Sequence, residues 1–191
     1  MIFTYYLLPT KIMRLKELYK KEILLKMKEK FGYKNNMEVP KLEKVVINIG
    51  FGRHAKDKGY IENIEKNLIS ITGQRPVMTK AKKSISAFKV REGMTVGAKV
   101  TLRGARMYDF VEKLVNVTFP RVRDFRGIEE KIVDKTGSIS IGFKEHLAFP
   151  EIKIDEIDNV HGLEINISVN KKNREENLEL FRLMGFPFKK K

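Results

Sequence analysis

Between Gln74 and Gly104 the chain holds eight cationic side chains (Arg75, Lys80, Lys82, Lys83, Lys89, Arg91, Lys99 and Arg103) and one carboxylate, Glu92, a local net of +7. That is almost half of the +15 carried by all 191 residues. The chemistry open to such a set is neutralisation of a polyanion, and nucleic acid is the commonest polyanion in a cell. The spacing adds a second property. Ala98-Lys99-Val100-Thr101-Leu102-Arg103 alternates polar and apolar. As a strand it presents Lys99, Thr101 and Arg103 on one face and Val100 and Leu102 to a core. Such a face suits RNA; its plain alternative is a solvated strand kept soluble by charge. Phe88 sits among Lys82, Lys83, Ser84, Ser86, Lys89 and Arg91. A phenyl ring there stacks on a base while the cations meet phosphates, or else it anchors the loop to the body of the protein. Asn48 shares a polar strand face with Lys44, and Gln74 follows a helix-ending glycine. Both amides are placed either to read RNA edges or to cap and turn the chain.

Catalytic chemistry has weaker candidates. Gly50-Phe51-Gly52-Arg53-His54-Ala55 fits the G-x-G-x-x-A spacing of a dinucleotide-binding turn and falls between a strand and a helix. That reading also needs a second strand ending in a carboxylate that holds a ribose. The next extended run, Pro76–Thr79, ends at Lys80 instead. The alternative is a turn where backbone comes close to another group, RNA included. His54, His146 and His161 lie far apart, without metal-ligand spacing, and read as surface or turn residues. No carboxylate pair falls in an acid/base frame. With no cysteine, disulfides, thiol catalysis and thiolate metal sites are excluded, and a reducing compartment fits. The expectation is no enzyme, no metal and no cofactor.

The elements that must position these residues follow from periodicity. A hydrophobic fraction of 42% suffices for one ordinary core. Ile2–Pro9 is apolar but too short to span a bilayer and lacks the flanks of a secretory signal. Residues 1–12 are expected to be an extension outside the fold, with Met13 the natural start and 13–191 one domain. Arg14–Phe31 reads as a helix stopped by Gly32, and Leu42–Ile49 as a strand with Val45, Ile47 and Ile49 on one face and Lys44, Val46 and Asn48 on the other. A helix from about Asp57 to Thr72 stops at Gly73. Gly104 opens a helix carrying Met107, Phe110, Val111 and Leu114, with Pro120 just beyond it. Arg121, Arg123 and Arg126 surround Phe125 in a short basic loop. Ser138–Phe143 and Leu163–Val169 read as strands, and Asn173 caps a last helix that Gly185 ends. Mixed elements without strict alternation predict α+β: a single domain, mainly antiparallel sheet, helices packed on one side and a long basic loop.

Several of these segments together resemble one family. Asn48-Ile-Gly-Phe-Gly52, Thr72-Gly-Gln-Arg-Pro-Val-Met-Thr-Lys-Ala-Lys-Lys-Ser84, Lys99-Val-Thr-Leu-Arg-Gly104, Pro120-Arg-Val-Arg-Asp-Phe-Arg-Gly127 and Gly185-Phe-Pro-Phe-Lys189 occur in the order and spacing of the bacterial-type large-subunit ribosomal protein family L-five, the 5S rRNA-binding ribosomal proteins. The resemblance runs from about Leu15 to Lys189 and leaves the first twelve residues without a counterpart. It implies a structural constituent of the ribosome used in translation, cytoplasmic by expectation, with an organellar ribosome left open, and no membrane. It implies binding to 5S rRNA through Asn48, Gln74, Lys99, Thr101 and Arg103. It implies contact with peptidyl-site tRNA through a loop carrying Lys82, Lys83, Ser84, Phe88, Lys89 and Arg91. Arg121, Arg123 and Arg126 would lie near a bridge to the small-subunit head protein S-thirteen. Large-subunit rRNA and the neighbouring central-protuberance proteins complete the implied partners. Ala87 stands where the family more usually has glycine, which would stiffen the loop. The competing readings are a nucleotide-binding enzyme using Gly50–Ala55 and a free regulatory RNA-binding protein.

Overall fold

The computed structural model describes residues 14–152 and 160–189. The expectations for residues 1–12 and for Met13 lie outside the described residues. Five strands, β1 (Leu42–Gly50), β2 (Val77–Lys80), β3 (Thr95–Leu102), β4 (Ile139–Phe143) and β5 (Leu163–Val169), form one sheet in the order β2-β3-β1-β5-β4, and every neighbouring pair is antiparallel. The α+β expectation holds. Alternation decides which face each strand buries. Val45, Ile47 and Ile49 of β1 are shielded from solvent with Ala98, Val100 and Leu102 of β3 and Ile165 and Ile167 of β5. Helices cover that face, and among the described residues no element covers the other.

The first helix is α1 (Leu15–Leu18), a π turn (Tyr19–Ile23) and α2 (Leu24–Phe31), ended by Gly32 at φ +71°. Its buried stripe is Leu15, Tyr19, Ile23 and Met27, a strict four-residue repeat. On a 3.6-residue helix such a repeat drifts by about 40° per step. One turn of the wider i→i+5 winding brings the stripe back toward the core. α3 (Lys58–Thr72) is capped by Asp57, which accepts from the Tyr60 N–H, and is stopped by Gly73.

α4 (Gly104–Lys113) continues through a second π turn (Leu114–Thr118) into a short α5 (Phe119–Arg121). Pro120 is therefore inside the helix and not beyond it. The π turn restarts the α register, so the proline ring falls in the first turn of the new segment, where a missing N–H costs little. α6 (Arg174–Leu183) is capped by Asn173, whose side chain accepts from the Glu175 N–H. After Gly185 the tail doubles back on the 122–128 loop. The Ile128 N–H donates to Pro187 C=O at 2.8 Å and the Lys189 N–H donates to Ile128 C=O at 2.9 Å.

His146 opens a turn as expected, but neither it nor His161 lies at the surface. Both are buried, with rings parallel at 4.0 Å between centroids. The His161 N–H donates to His146 Nδ1 at 3.3 Å, and Asn67 Nδ2 of α3 lies 3.3 Å from His161 Nε2. The pair fastens the turn after β4 to the entry of β5. Burial, reinforced by the neighbouring imidazole of His146, lowers the His161 pKa to about 4. Burial also lowers that of His146, against the opposing effect of the His161 backbone and Glu145. Fifteen residues of separation hid this pairing, because nothing in local spacing signals it.

Candidate nucleic-acid interface

The open face of the sheet is built by register. Asn48 of β1 pairs directly with Lys99 of β3, and Val46 pairs with Thr101. Across the other edge of β1, Asn48 faces Glu164 and Val46 faces Asn166 of β5. Ser140 of β4 continues the second row, its hydroxyl bonded to Asn166 Oδ1 at 2.5 Å. Asn48 and Lys99 are exposed, and Thr101 is half-buried between them and the sheet's end. Because β1 and β3 are each hydrogen-bonded on both sides, these side chains stand on a rigid floor. Among the described residues Lys99 pairs with no carboxylate, so its charge is available to a polyanion.

Gln74 and Arg103 sit at the margin of this floor and are partly occupied. Gln74 Nε2 donates to the Thr101 carbonyl at 3.3 Å, beyond the point where β2 ends. Its amide thus closes the free edge of β3, the capping role, while holding Thr101 in place. Arg103 lies 3.6 Å from the Glu43 carboxylate and donates to the Glu43 carbonyl at 3.5 Å. Both groups are more than 40% exposed, so the pair is worth little and yields readily to a phosphate.

The β2–β3 loop carries the second group of cations. Its base is closed by Ala81 N–H to Met94 C=O at 2.8 Å and Gly93 N–H to Ala81 C=O at 3.0 Å. Further out, Ile85 and Val90 form an antiparallel bridge, and the Glu92 N–H donates to Ser84 Oγ at 2.9 Å. The tip is a 3-10 turn (Ser86–Phe88) followed by Lys89 in the left-handed region at φ +53°. The loop is therefore an ordered, self-bonded excursion. Ala87 lies inside the 3-10 turn without positive φ, so it adds no backbone strain there. Phe88 is 74% exposed and does not serve as a buried anchor. Lys82, Lys83, Lys89 and Arg91 are all exposed.

Arg121, Arg123 and Arg126 form a third basic surface, all exposed. Phe125 fixes their loop by stacking on Phe119 at 5.2 Å between centroids. Asp124 turns the backbone at φ +53°. The predicted residues thus fall into three separate places: Asn48, Lys99, Thr101, Gln74 and Arg103 together on the sheet, the 82–91 set on the loop, and the arginines on the 121–126 loop. Sequence reasoning missed Ser140, Asn166 and Ser168 as neighbours on the face that carries Asn48. The polar alternation of β5 was visible, but its register against β1 was not.

The Gly50–Ala55 segment does not make a dinucleotide site. The strand after α3 is β2, and β3 lies between it and β1, so the described residues hold no adjacent parallel β-α-β pair. The N-terminus of α3 is already occupied by its own carboxylate, Asp57, which opposes a pyrophosphate there. Among the described residues no three His, Asp or Glu side chains are grouped to hold a metal, and no helix is long and apolar enough to cross a membrane.

Comparison with known proteins adds an independent line. The family model for "Ribosomal protein L5" matches residues 35–91, and the model for the C-terminus of the same ribosomal family matches residues 95–188. The division falls within the β2–β3 connection, and β3 from the second part sits between β1 and β2 from the first, so the two parts share one sheet. Large ribosomal subunit protein uL5 of Desulforamulus reducens is 55% identical over 177 residues, 93% of this chain and 98% of that protein. The same-named protein of Halothermothrix orenii is 54% identical over 174 residues, 91% and 97% of the two chains. That of Carboxydothermus hydrogenoformans is 53% identical over 175 residues, 92% and 98%.

Proposed function

The chain belongs to the ribosomal protein L5 family, a structural component of the large ribosomal subunit rather than an enzyme, and from that premise we propose that it binds 5S rRNA through the open face of its sheet. The observation that carries the reading is the cross-strand pairing of Asn48 with Lys99, with Thr101 beside them and Gln74 and Arg103 at the margin. Two amides, a hydroxyl and two cations on the open face of the sheet supply base-edge and ribose hydrogen bonds next to phosphate contacts. Pre-organisation matters here, because the strand backbone beneath these side chains is already paired and need not be ordered on binding.

The other two basic surfaces take the remaining contacts. The loop with Lys82, Lys83, Ser84, Phe88, Lys89 and Arg91 reaches peptidyl-site tRNA, and Arg121, Arg123 and Arg126 face the small-subunit head protein S-thirteen. Large-subunit rRNA and neighbouring central-protuberance proteins surround the chain in a cytoplasmic ribosome. The test is a titration of the full chain with 5S rRNA across a salt series, beside fractionation of cell extracts in high salt. The expected result is saturable binding that weakens steeply with salt and co-migration with large subunits. A chain found only in a soluble pool supports a free regulatory RNA-binding protein instead.

A further inference from the structure

Beneath the β2–β3 loop lies an open concavity of about 810 Å³ that neither the sheet face nor the loop tip accounts for. Its apolar lining comes from Ile85, Phe88, Val90 and Val96, and Gly52 and Arg53 of the turn after β1 line it too. Two observations say what fits it. The rim is cationic, with Arg53, Lys82 and Lys83 lining it and no carboxylate among the lining residues. Phe88 and Ile85 stay 74% and 46% exposed although they face an apolar hollow. Gly52 leaves part of the wall bare. A Cβ placed there would meet nothing within 4 Å, and its φ is not one that demands glycine. Neither packing nor backbone geometry requires a glycine there, and a larger side chain would enter the hollow.

An occupant must therefore present a flat apolar body flanked by negative charge. We infer that this concavity receives a single unpaired nucleobase of RNA, stacked on Phe88 with its flanking phosphates met by Arg53, Lys82 and Lys83. The volume lies within the roughly 300–1,000 Å³ of small-ligand sites, enough for a base and its ribose. Any base offers a π face to an aromatic ring, so the site selects unpaired strand over sequence. The glycine-spaced segment Gly50–Ala55 then acts as the wall of a base-binding cleft. The inference rests on the reading that the chain binds RNA, and it extends that reading to a site shared by the loop and the β1–α3 turn.

The test uses the full chain and an adenosine hexanucleotide carrying 2-aminopurine at one internal position, beside the same oligomer abasic at that position. The two have equal charge, so phosphate contacts cancel. The base-bearing oligomer should bind about tenfold tighter, with its fluorescence altered by stacking. Phe88→Ala, which removes the stacking ring, should abolish that preference, and Gly52→Leu, which places a side chain in the hollow, should reduce it. Both should leave the melting temperature and the affinity for 5S rRNA unchanged. Equal binding of the two oligomers by a chain that still binds 5S rRNA overturns the nucleobase site alone, as does a Phe88→Ala chain that keeps the preference. Failure to bind 5S rRNA as well overturns the RNA reading beneath it. Tighter binding of a glutamate-flanked phenylalanine hexapeptide than of either oligomer assigns the concavity to an acidic protein segment and overturns the inference.

Discussion

Lys99 stands on a strand hydrogen-bonded on both sides, between β2 and β1. Phe88 stands at the tip of a loop whose backbone bonds between residues 81 and 94 all stay within that stretch. Both regions are basic and both face solvent, but they are held in different ways. The sheet face inherits its rigidity from the core beneath it, where Ile47, Val100 and Ile165 are almost wholly buried. The loop is fixed by its closed base, the Ile85–Val90 bridge, the Glu92–Ser84 hydrogen bond and a 3-10 turn. A surface of the first kind suits a partner that is always present. A surface of the second kind can be altered or removed without disturbing the fold, and it suits a partner that comes and goes.

The largest effect should come from breaking the scaffold under the sheet face. A Cβ at Gly97 would meet Thr79 Oγ1 at 2.8 Å and the Ile49 carbonyl at 2.9 Å, inside the β2-β3-β1 ladder. Gly97→Val should therefore destabilise the chain by about 3 kcal/mol and weaken 5S rRNA and loop contacts together. Denaturant melts decide it, and an unchanged midpoint would show that the ladder yields locally.

Acid probes the same scaffold. The buried His161 takes up a proton only near pH 4, whereas the unfolded chain does so near 6.5. A depressed histidine pKa favours the folded state at and above pH 6.5, and that advantage fades as the pH falls toward 4. The loss is on the order of 3 kcal/mol. His161→Phe should flatten the decline in melting temperature over that window. Equal declines in both proteins would clear the histidine pair of any part in acid lability.

On the sheet face itself, Lys99→Ala with Arg103→Ala should weaken 5S rRNA binding about tenfold. The two changes should also lower the salt slope by about 0.7–0.9 for each phosphate no longer neutralised. Unchanged affinity removes both residues from the interface. Smaller still, for stability, is removal of the loop. Deleting Ser84–Arg91 should cost under about 1 kcal/mol and spare 5S rRNA binding while impairing retention of peptidyl-site tRNA. Loss of 5S rRNA binding in that deletion would merge the two regions that the structure separates.

Much of this was legible before the fold was known. The alternation of Val45, Ile47 and Ile49, and of Leu163 through Val169, assigned each strand's inner face, because side chains on a strand have period two. The caps at Asp57 and Asn173 and the stops at Gly32 and Gly73 were readable for the same local reason. The π turns were harder to see. They arise from fitting a four-residue stripe, or Pro120, into a packed helix, and the misplacement of Pro120 beyond the helix followed from that.

The sequence by itself determined the basic character of Gln74–Gly104, the alternation that turns Lys99 and Thr101 outward, and the motifs shared with the ribosomal L5 family, all properties carried by neighbours along the chain. Only the tertiary structure decided that Asn48 lies against Lys99 and that Gln74 closes the edge of β3 at Thr101. It alone paired His146 with His161 and brought Gly52 and Arg53 to line one concavity with Phe88. Each of these joins residues whose separation is set by strand register or by packing, and register is fixed by how the whole sheet buries its inner face, not by any local run of residues.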